Sequence, residues 1–350
     1  MRKYLNKGLL YEWFNASKVP IVIGLITWGF IAHMILKDNI RDICQAIGTA
    51  ESNNYEVNNL DAYAILVFIL LAIYIFANGA NKRNTMMFLC SGPYTKKQIK
   101  VNELICLLMT LGLFVIMYIY MAVTMYVQNY EFISIVNGYT QVIFIEILRL
   151  LLFGTIGILL LIEIDLLFSN SIIAYFGMIA LLLSTMVIWL KLRIIMSYLH
   201  ILTPIMNAIF RYPVRRYNDH ANMLFYGRPY YSGEWAKTFK GIAVLIVIIA
   251  IMLVIFNIFE KKYKLEASSK IFSCKANENM IVTYISLAIG SFADLLIVDE
   301  VLSNRLFRNA RMQPYVSFES FEMLATDLII IGVVTFISYK IIKKILKAIG

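Results

Sequence analysis

The chain has 350 residues, of which 60% are hydrophobic and 15% charged, and its formal net charge is +10. The apolar residues are gathered into continuous blocks of bilayer length, about 20 residues each. Continuous blocks rule out a water-soluble domain, and because they do not alternate they rule out a transmembrane β-barrel as well, leaving an all-α polytopic helix bundle. Most Lys and Arg residues stand beside the block ends, so the charge reads as membrane topology and no nucleic-acid partner is expected.

Residues 1–18 read as a cytoplasmic amphipathic helix at the membrane interface. Because Glu12 and Trp13 precede the first apolar block and no small-residue cleavage site follows it, that block is expected to be retained as a span. Eight spans are expected: Val19–Leu36, Ala62–Asn78, Leu104–Val127, Val142–Phe168, Ile172–Leu190, Gly241–Phe256, Ile281–Val298 and Leu324–Ile342. The turn-forming cluster Ser169-Asn170-Ser171 makes spans four and five a tight hairpin.

Arg2, Lys3, Lys7 and Lys18 before the first span outweigh Lys37 and Arg41 after it, which places the amino terminus in the cytoplasm. Alternation then puts Lys82, Arg83, Lys96, Lys97 and Lys100 inside, as well as the 257–280 loop and the carboxyl terminus. Two segments run against this: 191–240, expected outside, and the last external loop with Arg305, Arg308 and Arg311. The first is long, and long loops constrain orientation less. Within it, Met196 to Phe210 reads either as an interfacial helix or as an irregular loop.

Enzymatic and metal motifs are missing. Cys44, Cys90, Cys106 and Cys274 lie far apart without C-x-x-C spacing, and His33, His200 and His220 form no H-E-x-x-H. There is no P-loop and no G-x-S-x-G elbow, so no catalytic residue, metal or cofactor is expected on this chain.

The informative segment is 79–103, between spans two and three. Met86, Met87, Phe88, Leu89 and Cys90 give a short apolar run beside Lys82 and Arg83, Gly92-Pro93 breaks the chain, and Thr95 with Gln98 makes a capping box for the next helix. The expected form is a short helix, a rigid corner and then a span.

This order of Lys82-Arg83, apolar run, Ser91-Gly92-Pro93-Tyr94-Thr95 and Lys96-Lys97-Gln98-Ile99 resembles the cytoplasmic coupling segment of ABC-2-type transporter permeases. The amphipathic stretch Tyr4 to Phe14 and the close fourth and fifth spans also resemble that family, and the basic segment with Glu266 to Ser269 after span six, followed by two more spans, resembles its eight-span bacterial variant. Gly92 departs from that pattern, in which Leu usually precedes the Pro, as do Ser268 and Ser269, where a Gly is expected. The resemblance implies a permease subunit in a bacterial cytoplasmic membrane, paired with an identical or related second permease subunit. A separate ABC ATPase would hold ATP and Mg and dock on Lys82, Arg83, Met86, Met87, Phe88, Leu89, Pro93, Lys96 and Lys97, with export as the expected direction. Cargo and substrate-binding residues are not named by the sequence. Two rival readings are an intramembrane transferase-type enzyme and a membrane sensor or anchor with an external ligand-binding segment.

Ionisable residues inside spans are rare and usually have a reason. Glu146 and Arg149, three apart on one face, read as a local ion pair. Glu163 and Asp165 are expected to meet water or lysines at the inner end of span four. Asp294 has no evident partner in its own helix and reads as an interhelical polar contact or part of a conduit. Gly154 and Gly157 are weak candidates for close packing in a dimer.

Overall fold

The computed structural model describes residues 6–48, 60–79, 82–133, 139–199, 232–262, 271–273, 275–302 and 318–349. Its helices are α1 (Lys7–Gly48), α2 (Leu60–Asn78), α3 (Lys82–Ser91), α4 (Lys96–Gln128), α5 (Tyr130–Ile133), α6 (Tyr139–Leu167), α7 (Ser171–Tyr198), α8 (Ser232–Lys262), α9 (Lys275–Asp294) and α10 (Phe318–Ile349). A π-helical segment, Leu295–Leu302, follows α9 directly. Among the described residues there is no strand, only an isolated bridge between Phe168 and Phe272.

The protein is an all-α polytopic membrane bundle. Seven of the described helices are long and apolar enough to cross a membrane. The remaining expected span, α2, is apolar over Ala62–Ala77 and shorter. Its 19 residues rise about 28 Å, close to the thickness of a hydrocarbon core.

Several expected boundaries move. The first 18 residues do not form a separate interfacial helix, because α1 runs unbroken from Lys7 through Pro20 to Gly48. Proline costs one helical hydrogen bond, a loss that membrane helices commonly absorb. The third span starts earlier than Leu104, at Lys96, because the cap at Thr95 sets the start. Helix α7 continues through Lys191 to Tyr198, so Met196 belongs to it and the segment expected outside begins later than residue 191. Residues 200–231, Glu266 to Ser269, and Arg305, Arg308 and Arg311 lie outside the described residues, as does Tyr4.

The chain divides into two compact units: Met1–Ile162 with Asn207–Ile258, and Glu163–Met206 with Phe259–Gly350. In the first, α1 packs on α2 and α4. Trp28 is fully buried there and donates its indole N–H to the Phe114 carbonyl at 3.0 Å, so its one polar atom is satisfied. Gly154 and Gly157 serve packing within the chain, because a Cβ on the first would meet Leu111 and on the second Val67. Their small faces are covered by α4 and α2, which corrects the expectation of a dimer contact.

In the second unit α9 packs on α10 and α7. The Ser169–Ser171 turn is held by Asn170, whose side chain accepts from the Ile172 amide at 2.9 Å. Ser169 N–H donates to Ile271 and Ser273 N–H to Leu167, each at 3.0 Å, which ties this turn to the chain entering α9.

Candidate functional site

In the first unit, α3 and the start of α4 form a corner built around a buried ion pair. Lys82 Nζ lies 2.7 Å from Glu103 Oε1, and Lys100 Nζ lies 3.0 Å from the other oxygen of the same carboxylate. Lys82 also donates to the Tyr74 hydroxyl and sits 4.0 Å from the centre of that ring. All three charged groups are buried, so the first turn of α3 is fixed to α2 and α4 together.

The corner itself is local chemistry. Ser91 hydroxyl donates to the Phe88 carbonyl at 2.7 Å, Gly92 N–H to Leu89, and the chain then turns through Pro93. At Thr95 the capping box is complete: the hydroxyl accepts from Gln98 N–H, and the Gln98 side chain accepts from Thr95 N–H at 2.9 Å. Asn102 reaches back along α4 to the Gln98 carbonyl, and its oxygen accepts from the Asn6 amide just before α1.

These contacts divide the expected docking residues into two groups. Lys82 and Met86 point inward and are buried, so they hold α3 in place and are not part of its outer surface. Successive residues on a helix point about 100° apart, so Met87 and Phe88 emerge on the outer side, at 40% and 77% exposure. Pro93 is exposed, while Leu89, Lys96 and Lys97 are half-buried. The Arg83 side chain is outside the described residues. A cavity of about 200 Å³ lies behind α3, lined by Trp13 of α1, Lys82 and Met86 of α3, and Ile99 and Glu103 of α4. Cys90 is half-buried at the end of α3, and burial pushes its thiol pKa up, with Lys96 acting in the opposite direction.

The intramembrane charges fall in different places. Glu146 and Arg149 are both buried, and Glu146 accepts from the Tyr63 hydroxyl at 3.5 Å across to α2. Glu163 and Asp165 are buried, which corrects the expectation of water at that end of the span and leaves that of lysines open. They lie within a continuous run of buried residues from Leu161 to Ser169.

Asp294 belongs to a buried cluster drawn from three helices. Its carboxylate lies 2.5 Å from Lys191 Nζ of α7, which in turn lies 3.1 Å from Asp327 of α10. All three are at most 2% exposed. Sequence reasoning missed both other members, treating Lys191 as the first residue of the external segment and passing over Asp327 inside an apolar block. The available signal was an ionisable residue in each of three neighbouring spans.

No family model, curated protein or solved structure matches the chain. Among the described residues no group of three or more His, Cys, Asp or Glu side chains is placed to hold a metal ion.

Proposed function

We propose that this membrane protein is the permease subunit of an ATP-driven transporter of the ABC-2 type, an exporter of the bacterial cytoplasmic membrane. The ATP and Mg would be held by a separate ATPase. The observation that carries the reading is the α3–α4 corner. A ten-residue helix is pinned from behind by the buried Lys82–Glu103 pair, presents Met87 and Phe88 outward, and joins through Gly92-Pro93 to the capped start of a 33-residue helix.

That arrangement suits transmission of force. A push on a loose loop would be absorbed by the loop, whereas a push on α3 passes through the ion pair and the corner into α4. Helix α4 rises about 50 Å over its length, more than a bilayer core. A docking ATPase must contact the corner differently in its two nucleotide states, since equal contacts would shift nothing.

The test is affinity purification of the tagged chain from its native membrane, with mass spectrometry of what accompanies it. A P-loop ATPase at stoichiometric ratio supports the reading, and it is lost in Met87→Asp but kept in Met87→Leu. A monodisperse chain that repeatedly emerges without such a partner overturns it.

A further inference from the structure

Helix α10 ends in a group of lysines, Lys340, Lys343, Lys344 and Lys347, and no acidic residue follows Asp327 in the chain. Lys343 is engaged within the protein. It is half-buried, donates to Glu278 of α9 at 2.7 Å and donates also to Asn279. Lys340, Lys344 and Lys347 are exposed, and among the described residues none of the three enters an ion pair.

Their spacing of four and three residues places these lysines on one side of the helix, within about 60° of one another. Toward the middle of α10 the same side is apolar. Ile329, Val333 and Phe336 fall in line with the lysines, the six residues sharing an arc of about 80°. The three apolar side chains are 65%, 54% and 59% exposed, and in a membrane bundle such a stripe lies against acyl chains. Helix α10 has 32 residues and rises about 48 Å, well beyond a hydrocarbon core of about 30 Å, so its final turns leave the core with this side still facing lipid.

Lys340 marks the crossing from core to headgroups. Its Nζ lies 4.3 Å from the centre of the Phe336 ring, so the side chain turns back along the helix toward the apolar stripe. An ammonium held there gives up part of its hydration, and an anion beside it offsets that loss. Lys344 and Lys347 follow within about 10 Å along the axis, and their flexible stems let the three ammonium groups gather on one layer of headgroups.

Topology alone does not require this arrangement, because the positive-inside bias depends on how many lysines and arginines stand at one side of a membrane and not on where they lie around a helix. Here one lysine is tied to α9, and the other three are turned to the side that meets lipid. A second copy of the chain fits that side poorly. Parallel copies in one membrane would bring two sets of three ammonium groups to the same level, where they repel.

We propose that Lys340, Lys344 and Lys347 form a binding site for an anionic phospholipid, the ammonium groups holding the headgroup phosphate and Ile329, Val333 and Phe336 holding the acyl chains. The Lys343–Glu278 contact fixes the rotation of α10 against α9 and so keeps the three lysines turned outward. The site does not depend on an ATPase docking at the α3–α4 corner.

The experiment is native mass spectrometry of the purified full-length protein, titrated separately with phosphatidylglycerol and with phosphatidylcholine of the same acyl chains. Attraction to anionic lipid is worth about five-fold per lysine near the surface. The preference for phosphatidylglycerol therefore falls about five-fold in each of Lys340→Gln, Lys344→Gln and Lys347→Gln, and about 100-fold when all three are combined. The three Lys→Arg substitutions together keep the native preference, because the charge is kept. Glycerophosphoglycerol, the same headgroup without acyl chains, does not bind at these concentrations.

Native preference in the triple Gln variant refutes the site. So does an equal loss in Lys261→Gln/Lys262→Gln and Lys344→Gln/Lys347→Gln, since that would be a response to total charge. Binding of glycerophosphoglycerol as tight as that of the lipid makes this a site for a free phosphodiester and overturns the lipid assignment. A chain without lipid preference that dimerises, more strongly once the lysines are Gln, gives this side to a second copy and also overturns it. If the triple Gln variant does not insert into the membrane, the single variants decide the matter by the same ratio.

Discussion

Lys82 and Glu103 meet 2.7 Å apart across the α3–α4 corner, and Glu103 is shared with Lys100. The sharing makes the two ends of the pair unequal. Removing Glu103 takes a carboxylate from two buried ammonium groups at once, whereas removing Lys82 leaves Glu103 beside Lys100. Breaking a buried pair from one side costs about 3–5 kcal/mol. Glu103→Gln is therefore expected to lose about that much stability, and Lys82→Met distinctly less. Thermal unfolding of the purified variants in detergent ranks them, and an equal or reversed order would show that Lys100 does not share the charge.

The capping box is a smaller and more local device. Thr95→Ala removes the acceptor for Gln98 N–H, and N-cap losses of this kind cost about 1 kcal/mol. Because the effect is confined to the first turn of α4, amide hydrogen exchange across Lys96–Lys100 is expected to quicken while the middle of α4 keeps its protection. Thr95→Ser, which retains the oxygen, should leave exchange unchanged.

What the sequence made legible is what depends on near neighbours. Every expected span lies within a helix or runs from a helix into the residues next to it, because an apolar block of bilayer length is a local property. The Ser169–Ser171 turn and the Thr95–Gln98 box are equally local, each depending on residues two or three apart. Which way α3 faces was not legible. Met86 and Met87 are the same residue type at adjacent positions, and only the packing of α1, α2 and α4 determines that the first is buried and the second exposed. Lys82 looked like surface because it is charged. Its burial depends on Glu103 and Tyr74, which are brought to it by the turn and by α2. The Lys191 cluster was harder still, since its three members lie far apart in sequence and meet only through the register of three packed helices.

Cys90 offers a test of the outer end of α3. Its thiol is half-buried and its pKa is raised, first by desolvation, with Lys96 opposing. The thiolate is the reactive form, so the reactive fraction is low at neutral pH and grows as pH rises past the ordinary thiol range. Maleimide labelling followed peptide by peptide should therefore be slow at neutral pH and rise later with pH than for an exposed thiol. Lys96→Met removes the opposing charge and should shift the profile further to alkaline pH. With the proposed orientation, an impermeant maleimide reaches Cys90 from the cytoplasmic side.

The glycines of the second unit separate a close helix contact from an open one. A Cβ on Gly290 would lie 2.8 Å from the Ile331 carbonyl oxygen and would also strike Thr335, so α9 and α10 approach there with no room for a side chain. Backbone cannot yield as a flexible side chain can, so Gly290→Ala must push the helices apart. Gly332, beside this contact on α10, has open space where its Cβ would be. Gly332→Ala should add about 0.5–1 kcal/mol through the lower backbone entropy of its unfolded state. The two alanine substitutions are therefore expected to move thermal stability in opposite directions, with Gly290→Ala lower and Gly332→Ala higher. If Gly290→Ala were as stable as the native chain, α9 and α10 would not be in this close contact.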